Sequence, residues 1–321
     1  LLSELRTILR SGRAGLAVVL AVLAGCTPER DQSEFFSPDL VDVLVVDAVL
    51  VVGEPLPGLR LSRTLAPDVP YTWQASGEVG ATVVISDDEG NEVPYAGAFG
   101  TSGIYLPDDW FSPLVRASTL YELRVETDRG EILTASTLTP AHFSVERWVA
   151  LDPVTGAELR ELRTFADSGD AVFDEPENQI PYASVIVEAQ VGEVAEDGFQ
   201  LALFSLDPDS DYVIDPPFFD DEDFVDLERT GSSPALAADN GNVRLPWFAI
   251  YYEGRHTYKV FAVDRNWFDL LRSTPETPGG GGFGGTLGDG FETPIFHVNG
   301  GIGLFGSASV DSTGFRVLQA P

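Results

Sequence analysis

The chain has 321 residues, about two domains' worth on the usual size relation, and 44% of them are hydrophobic, enough to build a packed core. Its formal net charge of −32 comes from 51 acidic against 19 basic residues, so the surface repels phosphate backbones and anionic lipid headgroups. Nucleic acid is therefore a poor partner, and membrane contact has to come through a covalent anchor.

Arg6, Arg10 and Arg13 precede an apolar run over 14–23. Ten residues are too few to span a bilayer, which takes about 20, but they suit the core of an export signal. Leu23-Ala24-Gly25-Cys26 follows. Small residues fit a narrow peptidase cleft, and the thiol after them accepts diacylglycerol. The stretch resembles the bacterial lipobox, so 1–25 is expected to be a lipoprotein signal peptide with Cys26 the lipid attachment site. The alternative is an ordinary secretory signal that happens to contain a cysteine. Cys26 is the single cysteine, so no intramolecular disulfide forms. One acyl chain holds a membrane marginally, whereas a triacylated, palmitate-bearing cysteine holds it durably. Thr27, rather than Asp, after the cysteine favours an outer-membrane address. Residues 26–40 read as a polar tether with Pro28 and Pro38; Glu29, Asp31 and Glu34 also resemble surface-export signals, which leaves the leaflet open.

From residue 41 the texture is strand and turn. Residues 43–52 are nearly continuous apolar and β-branched, as in a strand buried on both faces. Residues 59–63 alternate with period two, and 81–85 form a further strand ending at the turn-forming Asp87-Asp88-Glu89-Gly90-Asn91. Residues 121–127 and 131–138 flank Asp128-Arg129-Gly130 as a hairpin. An all-β sandwich over 41–139 follows. Pro140 opens a second β-rich region, 140–321, with strands at 143–150, 182–191, 199–206, 243–252 and 257–263. A short helix over 264–272 has Asp264 as its cap and Trp267, Leu270 and Leu271 on one face. An acidic loop (207–226) and a Gly/Pro-rich loop (273–293) complete it. The fold class is all-β: two β-sandwich-like domains after the signal and tether.

Three stretches together carry a family resemblance. They are 44–52 with Leu59-Arg60-Leu61-Ser62-Arg63-Thr64; 80–90 completed by Tyr121-Glu122-Leu123-Arg124-Val125; and Asn299-Gly300-Gly301-Ile302-Gly303-Leu304-Phe305-Gly306. Over about 40–320 the chain resembles the Bacteroidota-type lipoproteins catalogued as domain of unknown function 4249. The resemblance implies an Ig-like N-terminal sandwich similar to the carboxypeptidase regulatory domain, and an envelope role beside TonB-dependent outer-membrane receptors. It implies no catalytic residue.

Gly301 to Gly306 matches G-x-G-x-x-G, but no helix pattern follows and no acid lies at the dinucleotide spacing, so glycines packing closely beside a sheet, with Ile302, Leu304 and Phe305 in the core, are expected. Asp207, Asp209 and Asp211 alternate in a loop, a spacing at which carboxylates can surround Ca²⁺. Tyr212 and Phe218 stand where an EF-hand needs Gly and Glu, so a solvated acidic loop is the better reading and a weak calcium site the alternative. His142, His256 and His297 are far apart and read as surface or interface residues rather than zinc ligands. Trp247, Tyr251, Tyr252, Trp267 and Phe268 either pack in the core or stack on sugars or a partner; Phe218-Phe219 either covers a core edge or touches a partner. No catalytic motif stands out. The leading expectation is a non-enzymatic, lipid-anchored binding or accessory protein of the outer membrane, partnered with a TonB-dependent receptor. A glycan- or calcium-dependent adhesion module and an unrecognised envelope hydrolase are the alternatives.

Overall fold

A computed structural model describes residues 41–319 apart from 67, 109–111, 193–197, 214–228, 237–240, 246–248 and 275–293. The signal, the tether and Cys26 lie outside the described residues, as do Trp247, Phe218-Phe219 and the glycine run at 279–282. The fold is all-β and sandwich-like, with few and short helices. Among the described residues no helix is long and apolar enough to cross a membrane.

The first strands are β1 (Leu44–Val51), β2 (Leu59–Arg63), β3 (Thr82–Asp87), β4 (Glu92–Gly97), β5 (Ile104–Pro107), β6 (Leu120–Glu126) and β7 (Ile132–Leu138), with a four-residue helix α1 (Trp73–Ser76) between β2 and β3. Then come β8 (Arg147–Leu151), β9 (Glu158–Glu161), helix α2 (Phe165–Ser168), β10 (Gln179–Pro181), β11 (Ile186–Gln190), β12 (Gly198–Ser205), β13 (Thr230–Ser232) and β14 (Asn242–Leu245). The long β15 (Gly254–Val263), helix α3 (Arg265–Ser273), β16 (Val298–Asn299) and β17 (Ile302–Leu318) close the chain.

Local chemistry explains the elements. In β1 the side chains of Leu44, Val46, Ala48 and Leu50 are buried, while Asp47 is exposed and the intervening valines are half-buried. The expected strand buried on both faces is thus a one-sided strand, in which the β-branched residues of the outer face serve strand propensity more than core packing. The hairpin of β6 and β7 turns where the Thr127 N–H donates to the Glu131 carbonyl at 3.0 Å and Gly130 takes φ +78°. Helix α3 starts at the expected cap: the Asp264 carboxylate accepts from the Trp267 N–H at 3.0 Å. Its buried residues are Asp269 and Ser273, and the Trp267, Leu270 and Leu271 face is only half-buried.

Twelve strands run in the order β13-β12-β15-β17-β1-β2-β5-β4-β3-β6-β7-β16, with β10 added on β17 as the thirteenth member of one sheet. A second sheet has the order β14-β11-β8-β9. The long sheet curls until β7 returns beside β17, where the hydroxyls of Thr137 and Ser307 lie 2.7 Å apart. Inside the curl is one hydrophobic cluster, drawn from 44–135 together with Phe305. A second cluster, drawn from 143–317, fills the space between the four-stranded sheet and β12, β15 and β17. There Trp148 of β8 meets Tyr258 of β15 edge to face, ring centroids 5.3 Å apart.

Strand β17 serves both clusters. Ile302 to Ala308 pair in parallel with Val45 to Val51, and Ala308 to Val317 pair antiparallel with Val263 to Gly254. The glycine motif lies in the parallel part. Ile302 and Leu304 are half-buried, and Phe305 enters the first core. Ser307 to Thr313 is strand, the wrong element for a dinucleotide site.

Gly303 sits at φ +113°, and a β-carbon there would run into the Val46 carbonyl. Gly303→Ala is therefore expected to lower the stability by about 3 kcal/mol, from backbone strain plus a displaced strand. Gly130→Ala, where the added carbon meets open space, is expected to cost only about 1 kcal/mol. Urea unfolding of the two variants checks the difference.

Candidate functional site

Two features stand at opposite ends of β3. The first is built on the loop that leaves β2 and returns at Glu78. Arg63, at the loop's start, is 7% exposed, and its Nε donates to Glu78 at the loop's end at 2.5 Å. The same guanidinium pairs with Glu131 and donates to the Asp42 carbonyl at 2.9 Å. Hydrogen bonds to Glu131 and then Glu78 hold Arg63 above its ordinary range. The Tyr105 hydroxyl donates to the Glu78 carbonyl at 3.2 Å and accepts from the Ala81 N–H at 3.1 Å. Removing one partner of a buried pair costs about 3–5 kcal/mol, so the loop is firmly stapled.

Within that loop Thr72 is extended (φ −137°, ψ 151°), which sends Tyr71 and Trp73 to the same side. Its hydroxyl caps α1 by accepting from the Ala75 N–H at 3.1 Å. Arg60 of β2 fixes both rings. Its guanidinium carbon lies 3.4 Å from the Trp73 ring centroid, and its Nη2 donates to the Tyr71 hydroxyl at 2.7 Å and to Ser76 Oγ at 3.0 Å. Cation–π contact at such a site contributes about 0.5–1 kcal/mol. Tyr71 nonetheless remains 63% exposed and Trp73 60%. Phe99, on the turn that touches Gly77 through Ser102, is fully exposed.

The second feature is a cleft of about 270 Å³. Its floor is apolar, with Leu56, Ile85, Val93, Leu114 and Tyr121; its rim is Asp87, Glu89, Asn91 and Arg116. Arg116 pairs with Asp87 at 3.0 Å, Asp88 at 3.2 Å and Glu89 at 2.5 Å. Burial pushes the Asp87 carboxyl up. Hydrogen bonds from the Asn91 amide and the backbone of Asn91 and Glu89, together with Arg116, outweigh it and hold the group below the ordinary range. The rim is thus a locked set of ion pairs around a small apolar recess, suited to holding a group rather than to proton transfer.

Of the three calcium candidates, Asp209 and Asp211 are exposed and Asp207 is half-buried. Asp207 accepts from the Arg255 N–H at 2.7 Å and pairs with its guanidinium at 2.6 Å, so its charge is already compensated. Arg229 donates to the Asp207 carbonyl at 2.7 Å and to Ser210 Oγ at 2.9 Å, tying the loop from inside. Asp207, Asp209 and Asp211 do not converge, and among the described residues no three His, Cys, Asp or Glu side chains are grouped to hold a metal.

The aromatic residues singled out by sequence are largely spent on packing. Tyr252 is buried and stacks on Tyr212 at 4.9 Å, and the Arg229 guanidinium carbon lies 3.9 Å from the Tyr252 ring centroid. Trp267 packs against Phe261, and Phe268 fills the space beside Gly198. Tyr71 and Trp73 are among the rings that do face solvent, and their signal in the sequence is two aromatics at i and i+2 between strands.

Of the histidines, His142 and His297 are exposed, but His256 is 1% exposed, correcting the surface reading. Its ring stacks on Phe315 at 5.8 Å, and Nδ1 lies 3.0 Å from the Gly254 carbonyl. Burial pushes its pKa down to about 4, so at neutral pH it is an uncharged core residue. The neighbouring void of about 10 Å³ has room for roughly one water.

Two buried acids organise α3. Asp264 accepts from the Ser307 N–H at 3.0 Å and from the Thr137 hydroxyl at 2.6 Å, joining β7, β17 and α3; burial raises its carboxyl. Asp269 accepts from Arg265 at 2.9 Å, Arg272 at 2.7 Å and His297 at 2.8 Å. Burial pushes Asp269 up, and the hydrogen bonds from His297, Arg272 and Arg265 outweigh it and hold it low. A carboxyl lowered on folding stabilises the fold above its unfolded value near 4, and that contribution is lost as pH falls through the folded value. Asp269→Asn is expected to cost about 3 kcal/mol at pH 7, with a deficit against the parent that does not narrow until the pH falls below about 4. Urea unfolding across a pH series checks this.

No protein-family model matches this chain, and no curated protein does. Among solved structures it is similar to the crystal structure of pullulanase from Anoxybacillus sp. LM18-11, at 12% identity and a TM-score of 0.18, over 67% of this chain and 23% of that one. The chain spans under a quarter of that protein's length, and so slight a likeness says nothing of its chemistry.

Proposed function

We propose that this chain is a lipid-anchored binding protein of the outer membrane, acting as an accessory to a TonB-dependent receptor. The observation that carries the binding role is the Arg60–Tyr71–Trp73 cluster: two rings more than half exposed, held in one geometry by a guanidinium that is itself hydrogen-bonded. Trp, Tyr and Arg supply a disproportionate share of binding energy, and side chains ordered before binding lose less entropy on contact. The anchor is supported by Leu23-Ala24-Gly25-Cys26 after an apolar run too short to span a bilayer. The receptor is supported by the resemblance carried by 44–52 with 59–64, 80–90 with 121–125, and 299–306.

Cys26→Ser is expected to move the protein from the membrane pellet to the soluble fraction. With Cys26 intact and a C-terminal tag, mass spectrometry of a pull-down from native membranes is expected to return an outer-membrane receptor in near-stoichiometric amount. Recovery of the protein alone would remove the receptor from the proposal, and a Cys26→Ser protein that stays in the pellet would remove the anchor.

A further inference from the structure

We infer that Tyr71 and Trp73 are a stacking platform for a neutral oligosaccharide. This names the ligand of the surface described above, so it rests on that surface being a binding site; it is independent of the anchor and the receptor. Both rings meet the Arg60 guanidinium, whose carbon lies 3.4 Å from the Trp73 ring centroid and 5.9 Å from that of Tyr71, and the one extended residue between them sets their Cα atoms about 7 Å apart, a span that suits adjoining sugar rings in a chain. A pyranose offers an apolar C–H face and a rim of hydroxyls. The electron-rich face of an aromatic ring takes the first. Exposed polar side chains can take the second, and Asp68 and Gln74, both exposed and within three residues of the rings, supply carboxylate and amide.

The net charge of −32 argues against an anionic ligand, and Arg60, the cation that touches the rings, already donates to Tyr71 and Ser76. The uncharged ligand is therefore favoured over phosphorylated or uronic-acid chains.

The whole chain bearing Cys26→Ser for solubility is run in native gels containing an α-glucan, a β-glucan, a xylan, a mannan or the anionic alginate. Any gel that retards it is followed by calorimetry with the matching hexasaccharide. At least one neutral polymer is expected to retard it and alginate is not. Trp73→Ala and Tyr71→Ala are each expected to weaken binding tenfold or more, with unchanged circular dichroism and melting temperature. Tyr71→Phe, which keeps the ring, is expected to bind within threefold of the parent. Retardation by none of the neutral polymers overturns the inference, as does retardation undiminished by Trp73→Ala. Loss of receptor capture in Trp73→Ala without any sugar binding would assign the rings to a protein and likewise overturn it.

Discussion

Ile302 to Ala308 of β17 pair in parallel with β1, and Ala308 to Val317 run antiparallel to β15, so one strand is shared by both hydrophobic clusters. A parallel pair needs a long crossover, and here nearly all of the described chain is that crossover. The pairing depends on Gly303, where the Val46 carbonyl leaves no room for a β-carbon. Beyond it, Phe305 is committed to the first core, and Phe315 and Val317 to the second. Neither core is complete without the last strand.

Where β7 returns to β17, the closure is polar. Thr137, Ser307 and Asp264 satisfy one another around a buried carboxyl, and that carboxyl also starts α3. Asp269, one turn on, collects Arg265, Arg272 and His297. A chain with 51 acids can bury a few only where their acceptors are filled, and both sites meet that condition. The arginines are used in the same way elsewhere: Arg63 bridges Glu78 and Glu131 from two separate loops, and Arg116 binds three carboxylates at one turn. The planar fork of donors suits bridging several acceptors, which a lysine ammonium does less well.

The candidate platform follows from that stapling. Because Arg63 and Glu78 fix both ends of the loop, and Arg60 fixes the rings between them, Tyr71 and Trp73 face solvent in a set geometry rather than collapsing onto the sheet. The cleft at the other end of β3 has a rim already ion-paired. Rigid, exposed aromatic surface on an acidic all-β body is the combination that the proposed binding role uses.

Several features followed from local chemistry alone. Period-two alternation placed β2, strand and turn composition placed β3, β6 and β7 to within a residue or two, Gly130 marked the hairpin turn, and Asp264 marked the start of α3, because each depends on neighbours in sequence. The tertiary structure decided what depends on distant residues. β17 could not be read as a strand across its glycines until β1 and β15 flanked it. His256 left the surface because Phe315 offered a stacking face in the core. Asp207 was taken from its two acidic neighbours by Arg255, 48 residues on. Tyr71 and Trp73 became a candidate site only when Arg60, from the preceding strand, held them outward. Patterning specifies which side chains seek burial, but which distant backbone, charge or ring each one meets is fixed only when the sheets close.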